Sequence, residues 1–304
     1  MKTWPHALTG AIFMALTMCG GTCAAAADAV RVLATTYPVY LLTSEVTRSC
    51  PGVHVDLLIP AQTGCPHEYA LSPRDMRKLA EAQIVVINGL GIESFMEHAM
   101  ANLKNVTIID SSANVAVLQA VHHHGHASHI HGVNAHAFTS PMQAAAMART
   151  IGKALAKASP DAAGISLATA EAYAQRLEAL GKRLATLGTR AKNKNVVLLH
   201  DGMAYFVRDA DLHLAAVIQE NEDVQPSAAR LLELIRQCKE HRPALLIGEA
   251  QYSDKPLRVL AAETAIPVVL LDSAASGPKD APSGYYEHVM EKNCQLLEQH
   301  LGNN

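Results

Sequence analysis

Short apolar segments alternate with helical segments on both sides of one long, proline-free stretch, and this alternation limits the possible folds. Val30 to Thr35 and Val53 to Ile59 are short and rich in β-branched residues, and the segment between them has helical periodicity. Strands that alternate with helices through short connections are typical of a parallel sheet with helices on both faces. Because the alternation resumes after residue 190, we predict an α/β protein with two lobes of parallel β-sheet flanked by helices.

The proline-free stretch, residues 161–189, predicts one long amphipathic helix, since its large apolar residues recur at spacings of four and three. These residues are Tyr173, Leu177, Leu180, Leu184 and Leu187. A helix of this length spans roughly 40 Å at ~1.5 Å per residue, which lets it run along both lobes as a stiff spine. We therefore expect an N-terminal lobe at residues 28–160, a connecting helix at 161–189 and a C-terminal lobe at 190–304.

The first 27 residues have the pattern of a cleaved signal peptide. Lys2 supplies positive charge, Ala11 to Met18 is an apolar centre, and Ala25-Ala26-Ala27 before Asp28 is a small-residue cleavage site. We expect cleavage before Asp28 and secretion of the mature chain. One alternative is that the apolar stretch is retained as a membrane anchor, since it approaches the length of a spanning helix. Lipid attachment is another, although the residues before Cys19 and Cys23 fit a lipid-attachment motif poorly.

Four cysteines remain after cleavage: Cys50, Cys65, Cys238 and Cys294. An even number in an oxidising compartment is typical of disulfide-bonded proteins. Of the three possible pairings, Cys50 with Cys65 and Cys238 with Cys294 keeps each bridge within one lobe, and we predict this pairing. The alternatives are that some of them are buried thiols, or that Cys65, two residues before His67, is a soft metal ligand.

Residues 122–136 contain seven of the sixteen histidines in the chain. Neutral imidazole is the commonest nitrogen ligand for zinc, so a short His-rich tract indicates metal binding. Six of the seven lie among Gly, Ala and Ser without apolar periodicity and predict a mobile loop at residues 121–132, either metal-binding or sensitive to pH alone. The six are His122, His123, His124, His126, His129 and His131. His136 opens a more regular segment and is predicted to belong to a fixed site.

Three polar residues lie just beyond the ends of short apolar strands: His67, His200 and Asp272. Ligands of open α/β sheets bind in the crevice beyond the carboxyl ends of the strands, so residues from both lobes can converge there. Together with His136 they make three imidazoles and one carboxylate, a set that suits a divalent transition metal.

Two further carboxylates are candidates for a supporting role. Asp201 directly follows His200, and Glu249 follows a predicted strand. A carboxylate beside a ligating histidine orients its ring without binding the metal. Glu249 and Asp272 could alternatively cap helices.

A secreted zinc hydrolase is the competing class of function, with Glu68 or Glu249 as its base. The metalloprotease motif fails, however, because Leu71 stands where the second histidine is required. The Gly-x-Ser-x-Gly motif of serine hydrolases is also missing from the sequence. We therefore expect a protein that is not an enzyme.

The charge of the chain argues against a nucleic-acid partner. The formal net charge is −3 at pH 7, and no block of Lys and Arg is present to neutralise phosphates.

Several motifs together resemble the zinc/manganese substrate-binding proteins of ABC importers, and the likeness is closest to the periplasmic zinc-binding type. The motifs are Gly64 to Tyr69, Leu71 to Asp75, Leu199 to Asp201 with Tyr205-Phe206, Gly248 to Tyr252, and Leu271-Asp272. They occur in the order found in that family, and the resemblance covers nearly the whole mature chain.

This resemblance implies two lobes joined by a long helix, with Zn²⁺ bound between them as the transported ligand. It implies His67, His136 and His200 as ligands, with Asp272 as fourth ligand or close neighbour. It also implies a monomeric periplasmic protein whose partner is the membrane permease of a metal ABC importer. A histidine at position 200 favours zinc, because many manganese members have glutamate there; a manganese- or iron-selective relative is the alternative.

The sequence departs from the family pattern at two of these ligands. His136 lies in an Asn-Ala-His-Ala-Phe context, where the family often has another preceding pair and a tryptophan after the histidine. His129 or His131 could therefore take its place. Asp272 is followed by Ser-Ala where the family commonly has Pro-Leu. The resemblance also suggests that the His-rich loop collects zinc at low affinity near the cleft.

Overall fold

The computed structural model describes Met1 and residues 29–301 except 65, 67–68, 125–126, 161–162 and 220–224, and it leaves out the side chains of residues 121–131. The predicted signal peptide therefore lies outside the described residues. The same holds for Cys65, His67, Glu68 and His126, and for the side chains of the other five histidines of the predicted loop. Within the described part of the chain, no helix is long and apolar enough to cross a membrane.

The first lobe contains a four-stranded parallel sheet. Its strands are β1 (Val30–Ala34), β2 (Val53–Leu57), β3 (Ile84–Ile87) and β4 (Thr107–Asp110), in the order β2-β1-β3-β4. Its helices are α1 (Tyr37–Thr47), α2 (Pro73–Glu81) and the short α3 (Glu97–Ala101), which follows a 3-10 turn at Ile92–Met96. α1, α2 and the 3-10 turn with α3 join the consecutive strands, since parallel strands need a crossover connection.

The second lobe repeats this architecture with a second parallel sheet. Its strands are β7 (Asn195–Leu198), β8 (His213–Val217), β9 (Leu245–Glu249) and β10 (Val268–Leu271), in the order β10-β9-β7-β8. Its helices are α6 (Ala204–Asp209), α7 (Ala228–His241), α8 (Lys255–Thr264) and α9 (Tyr285–Leu301). The predicted α/β fold with two parallel sheets is confirmed.

Serine caps determine where several of the helices begin. Ser72 accepts a hydrogen bond from the backbone N–H of Asp75, and the Asp75 carboxylate accepts one from the backbone N–H of Ser72, which is a complete capping box. Ser227 caps α7 in the simpler way, by accepting from the N–H of Arg230 at 3.2 Å. These caps satisfy amides that the first turn of a helix leaves without partners.

Two long helices lie between the two sheets in the chain: α4 (Pro141–Ala158) and α5 (Ala163–Arg190). They pack closely, because a Cβ added at Gly152 of α4 would lie 2.4 Å from the Cβ of Ala170 on α5. The buried residues of α5 include all five predicted apolar positions, and the helix contacts α1 of the first lobe and α9 of the second. The long helix of the predicted fold class is therefore present and packs against both lobes.

The predicted loop at residues 121–132 is instead a two-stranded antiparallel hairpin. Its strands are β5 (Gln119–His124) and β6 (Ala127–Val133), and His122 lies opposite His129. The backbone N–H of Asn134 donates to the carbonyl of Leu118 at 2.8 Å and closes the base of the hairpin. The expectation of a loop without regular structure is thus wrong for the backbone. Cross-strand hydrogen bonds order a segment whose composition gives little sign of β-structure.

The predicted disulfides are also wrong, because Cys50, Cys238 and Cys294 are free, buried thiols. Cys238 packs from α7 into the core on one face of the second sheet, whereas Cys294 of α9 packs into the core on the opposite face. A bridge requires Cα atoms within about 7 Å, which this separation by the sheet prevents. Burial raises the pKa of each thiol, that of Cys294 to about 11, so the cysteines behave as apolar core residues.

A charged cluster ties both lobes to the long helix. Arg176 of α5 donates to Glu287 of α9 at 3.1 Å and lies 3.7 Å from Glu45 of α1. Glu45 in turn accepts from the backbone N–H of Gly284, just before α9, at 3.0 Å. Burial raises the pKa of Glu287, and its hydrogen bond with Arg176 opposes that effect. One guanidinium therefore compensates two poorly exposed carboxylates from different lobes.

Replacing Arg176 by methionine should lower the free energy of unfolding by about 1–2 kcal/mol at pH 7, since it leaves two carboxylates without their cation and the guanidinium itself is half exposed. The loss should shrink at pH 5. A raised pKa means that the native state binds a proton at a higher pH than the unfolded chain, so protonation of Glu287 relieves the uncompensated charge. Chemical denaturation at both pH values measures the effect.

Arg183→Met is the matched control, because Arg183 lies on the same helix and contacts Glu298 of α9 at 3.6 Å, with both side chains well exposed. Its loss should stay below about 0.5 kcal/mol. Equal losses in the two variants would show that the cluster contributes no more than a surface ion pair.

Candidate metal-binding site

His136 lies between the hairpin and α4, where a 3-10 turn at Ala137–Thr139 begins. Its side chain is buried, with 6% of the residue exposed. Its backbone nitrogen lies 2.9 Å and its ring Nδ1 lies 3.2 Å from Oδ1 of Asn134. The hydroxyl of Thr139 contacts the carbonyls of both His136, at 2.9 Å, and Gly202, at 3.1 Å. The turn that carries His136 is thereby joined to the segment that follows His200.

His200 lies two residues after the end of β7, next to the 3-10 turn Asp201–Met203. It is as deeply buried as His136, with 7% exposed. Its ring Nδ1 accepts a hydrogen bond from the backbone N–H of Gly202 at 3.2 Å, and its Nε2 lies 3.4 Å from the Asp201 carboxylate. The strand end therefore delivers an imidazole whose ring is oriented from two sides.

The rings of His136 and His200 are in edge-to-face contact. Their centroids are 5.4 Å apart and their planes are perpendicular. Two imidazoles that bind one tetrahedral zinc ion through ring nitrogens at ~2.1 Å have centroids roughly 5 Å apart. The spacing of the two rings is therefore compatible with their binding a single ion.

Both predicted supporting carboxylates lie beside His200. Oε1 of Glu249, at the end of β9, is 3.8 Å from Nδ1 of His200. Glu249 is only 4% exposed, and this oxygen has no hydrogen-bond partner among the described residues. Because Asp201 approaches the other ring nitrogen, two acidic groups surround one imidazole. This arrangement makes the cleft favourable for a cation.

The carboxylate of Asp272 is engaged elsewhere. Its Oδ1 accepts hydrogen bonds from the side-chain amide of Gln251 and from the backbone N–H of Ala274, at 2.8 Å in the latter case. The Asn293 side chain fixes its backbone on both sides, at 2.9 and 2.7 Å. Over the part of the chain that is described, no three or more His, Cys, Asp or Glu side chains are grouped so that they could hold a metal ion. The structure thus pairs His136 with His200 but does not add Asp272 to them.

The loop that leads to the predicted ligand His67 contacts the second lobe. The carbonyl of Ala61 accepts from the N–H of Gly277 at 3.0 Å, and the side chain of Gln62 donates to the carbonyl of the same glycine at 3.2 Å. Gly64, with φ at +76°, comes so close to Tyr252 that an added Cβ would be 3.4 Å from its hydroxyl. His67 lies outside the described residues, but the segment before it lies between the lobes.

Sequence reasoning missed the roles of Asn134 and Tyr205. The hydroxyl of Tyr205 donates to the carbonyl of Asn134 at 2.7 Å and accepts from the N–H of Leu118 at 2.9 Å. The available signal was an asparagine two residues before a candidate ligand, since such side chains often bond to the backbone two residues on.

Comparisons with known proteins agree with a metal-binding site. The chain matches the family described as "ZnuA: Zinc-uptake complex component A periplasmic" over residues 32–300. It is 30% identical over 280 residues to the zinc-binding lipoprotein AdcA of Streptococcus pneumoniae serotype 4. That match covers 89% of this chain but 55% of AdcA, so the chain spans about half the length of this relative and of the other streptococcal relatives that it matches.

Solved structures share the fold. A crystal structure of ZnuA superimposes with a TM-score of 0.72 and 26% identity, covering 89% of this chain and 98% of ZnuA. The substrate-binding protein FpvC of Pseudomonas aeruginosa, solved in complex with Mn²⁺, has a TM-score of 0.78 and 24% identity, covering 91% of this chain and 99% of FpvC. At that identity the second comparison shows the fold alone.

Replacing Gly202 by alanine should disturb the cleft, because a Cβ there would lie 2.8 Å from Oε1 of Glu249 and 3.2 Å from Nδ1 of His200. Both neighbours are buried, so we expect a loss of about 1–3 kcal/mol in unfolding free energy and a displaced His200 ring in a crystal structure of the variant. Gly164→Ala is the control, since nothing lies within 4 Å of a Cβ at that helical position; it should be neutral or slightly stabilising. An unshifted His200 ring in Gly202→Ala would contradict the close packing inferred for this cleft.

Proposed function

Because the chain belongs to the ZnuA family of periplasmic zinc-uptake components, we propose that it captures Zn²⁺ between its two lobes and delivers it to a membrane ABC importer. The contact between the rings of His136 and His200 supports this function most directly, since it brings two buried imidazoles from different segments to the spacing of zinc ligands. The role of the protein is binding and transfer, without a chemical reaction on a substrate.

We propose His67, His136 and His200 as the ligands that bind Zn²⁺ through ring nitrogens. Because Nδ1 of His200 accepts from the N–H of Gly202, its Nε2 carries the hydrogen, and binding through either nitrogen requires the hydrogen bond with Gly202 to break. Asp272 is the fourth ligand or a close neighbour of the ion, and as a ligand it could use Oδ2, because its hydrogen bonds with Gln251 and Ala274 engage Oδ1. Nitrogen-rich sets of this kind favour zinc over manganese and magnesium, which prefer oxygen. Asp201 and Glu249 remain beside His200, where they orient its ring and stabilise positive charge.

Capture involves a small closure of the cleft or a reordering of its loops. A wide hinge motion would separate Arg176 from Glu287 and break the hydrogen bond of the Tyr37 hydroxyl to the Pro278 carbonyl at 2.9 Å. The long helix α5 packs against both lobes and adds to this restraint. Loops at the cleft are therefore the parts that adjust.

We propose that the mature chain begins at Asp28, resides in the periplasm as a monomer and docks on the membrane permease of a metal importer. The pattern of residues 1–27 supports export, and the description of the family supports the compartment. The mass of the intact protein purified from cells distinguishes a chain cleaved before Asp28 from one that keeps residues 1–27 as an anchor or carries a lipid.

A titration of the purified, chelator-treated mature protein with Zn²⁺ and with Mn²⁺, by calorimetry with a competing chelator, tests the function. We expect one tight zinc equivalent and a loss of at least roughly 100-fold in its affinity in His200→Ala and in His136→Ala, since each removes a ligand. His54→Ala, at an exposed position of β2, should bind zinc like the unmodified protein.

Two results would contradict this proposal. Tight zinc binding that survives in His200→Ala would mean that the ligand assignment is wrong. Tighter binding of Mn²⁺ than of Zn²⁺ at the single site would favour a manganese-selective member of the same family.

The hairpin of residues 119–133 is proposed to collect zinc at low affinity. Replacing its six histidines, at positions 122, 123, 124, 126, 129 and 131, by serine should remove the weaker zinc equivalents and leave the tight one within about threefold, since an isolated imidazole cluster on a hairpin is less preorganised than a buried site. The same titration measures both classes of site. Loss of the tight equivalent would instead mean that His129 or His131 takes the place assigned to His136.

A further inference from the structure

We propose that Asn134 is a positioning residue for the metal site. Its side-chain amide holds the His136 ring in the tautomer in which Nε2 carries no hydrogen, and it ties this ring to the turn that follows His200. This inference rests on the proposed function, because it takes His136 to be a ligand.

The orientation of the Asn134 amide is determined by two backbone groups that can each play only one role. Oδ1 lies 2.9 Å from the backbone N–H of His136, which can only donate. Nδ2 lies 2.9 Å from the backbone carbonyl of Asp201, which can only accept. Exchanging the oxygen and the nitrogen would lose both hydrogen bonds, so these contacts determine which atom of the amide is Oδ1 and which is Nδ2.

This orientation determines the tautomer of His136. Nδ1 of the ring lies 3.2 Å from the same Oδ1, and an amide oxygen can only accept. Nδ1 therefore carries the hydrogen, and in a neutral imidazole Nε2 is then the nitrogen with a lone pair. A ring bonded in this way is oriented to bind a metal ion through Nε2. Histidines that bind metals usually have such a hydrogen-bond partner on their other ring nitrogen.

Asn134 is itself held rigidly, with 3% of the residue exposed. Its carbonyl accepts from the hydroxyl of Tyr205 at 2.7 Å, and its N–H donates to the carbonyl of Leu118 at 2.8 Å. Every hydrogen-bonding group of the residue type is thus engaged: backbone N–H, backbone carbonyl, side-chain oxygen and side-chain nitrogen. An amide fixed at this many points keeps the segments of His136 and Asp201 at a set distance.

Asparagine suits this position because it combines an acceptor and a donor. Aspartate keeps the acceptor for Nδ1 of His136, but a carboxylate oxygen facing the carbonyl of Asp201 would be repelled. Leucine has a similar volume and provides neither group. The two substitutions therefore separate control of the tautomer from the link to the His200 turn.

We would measure zinc affinity and the ¹⁵N chemical shifts of the His136 ring at pH 8, in Asn134→Asp and in Asn134→Leu. In Asn134→Leu the Nδ1–H tautomer should lose its dominance in the metal-free protein, and zinc affinity should fall about 10–100-fold. In Asn134→Asp the tautomer should be retained and the affinity should fall less than in the leucine variant. Asn102→Leu is the control, since Asn102 is exposed and its amide donates to the carbonyl of His98, four residues earlier in the chain; it should match the unmodified protein.

The outcomes separate this inference from the proposed function. If Asn134→Leu binds zinc as tightly as the unmodified protein while His136→Ala does not, the positioning role is wrong and the function stands. If His136→Ala also keeps tight zinc, the ligand set itself is wrong.

A purely structural role predicts equal losses in both Asn134 variants and an unchanged tautomer, which would overturn the inference. If the leucine variant fails to fold, the ¹⁵N shifts and zinc affinity of Asn134→Asp still test the inference. Loss of the Nδ1–H tautomer of His136 in that variant would contradict the proposed role of Asn134.

Discussion

In a parallel sheet every strand ends at the same edge, and this constraint places the candidate metal site. The loops that follow the strands of one lobe meet those of the other: Ala61 bonds to Gly277, and Gly64 approaches Tyr252. His136 and His200 reach the same cleft from the turn before α4 and from the end of β7. The directions of the strands therefore assemble the site, and short connections are sufficient to form it.

Under the proposed function the cleft both holds and releases an ion, which needs a firm frame and a limited set of parts that move. The frame is provided by α5 and by Arg176, which engages carboxylates from both lobes. The region around His136 is also firm, because Asn134 and Thr139 join its turn to the segment after His200. Under the proposed function, release of the ion therefore depends on the exchange of a few ligand bonds, with no more than a small closure or a reordering of loops.

The sequence predicted the elements that depend on local pattern. Apolar periodicity located the strands and the long helix, the motifs identified the family, and the ends of β7 and β9 pointed to His200 and Glu249. The predicted disulfides were wrong because an even number of cysteines does not reveal that Cys238 and Cys294 lie on opposite faces of a sheet. The hairpin was missed because a His-rich composition has weak β-propensity. The role of Asn134 depends on a contact with Asp201, 67 residues away in the chain, which no local pattern contains.

The placement of α9 has a consequence for how the molecule is assembled. Each sheet is built from one continuous stretch of chain, so each can form from contacts of modest sequence separation. The largest hydrophobic core, however, includes Val32 of the first strand together with Tyr286 and Leu297 of the last helix. Each sheet thus depends on residues within one half of the chain, whereas the relative placement of the lobes depends on contacts between its two ends. The cleft reaches its final geometry only when the C-terminal helix docks.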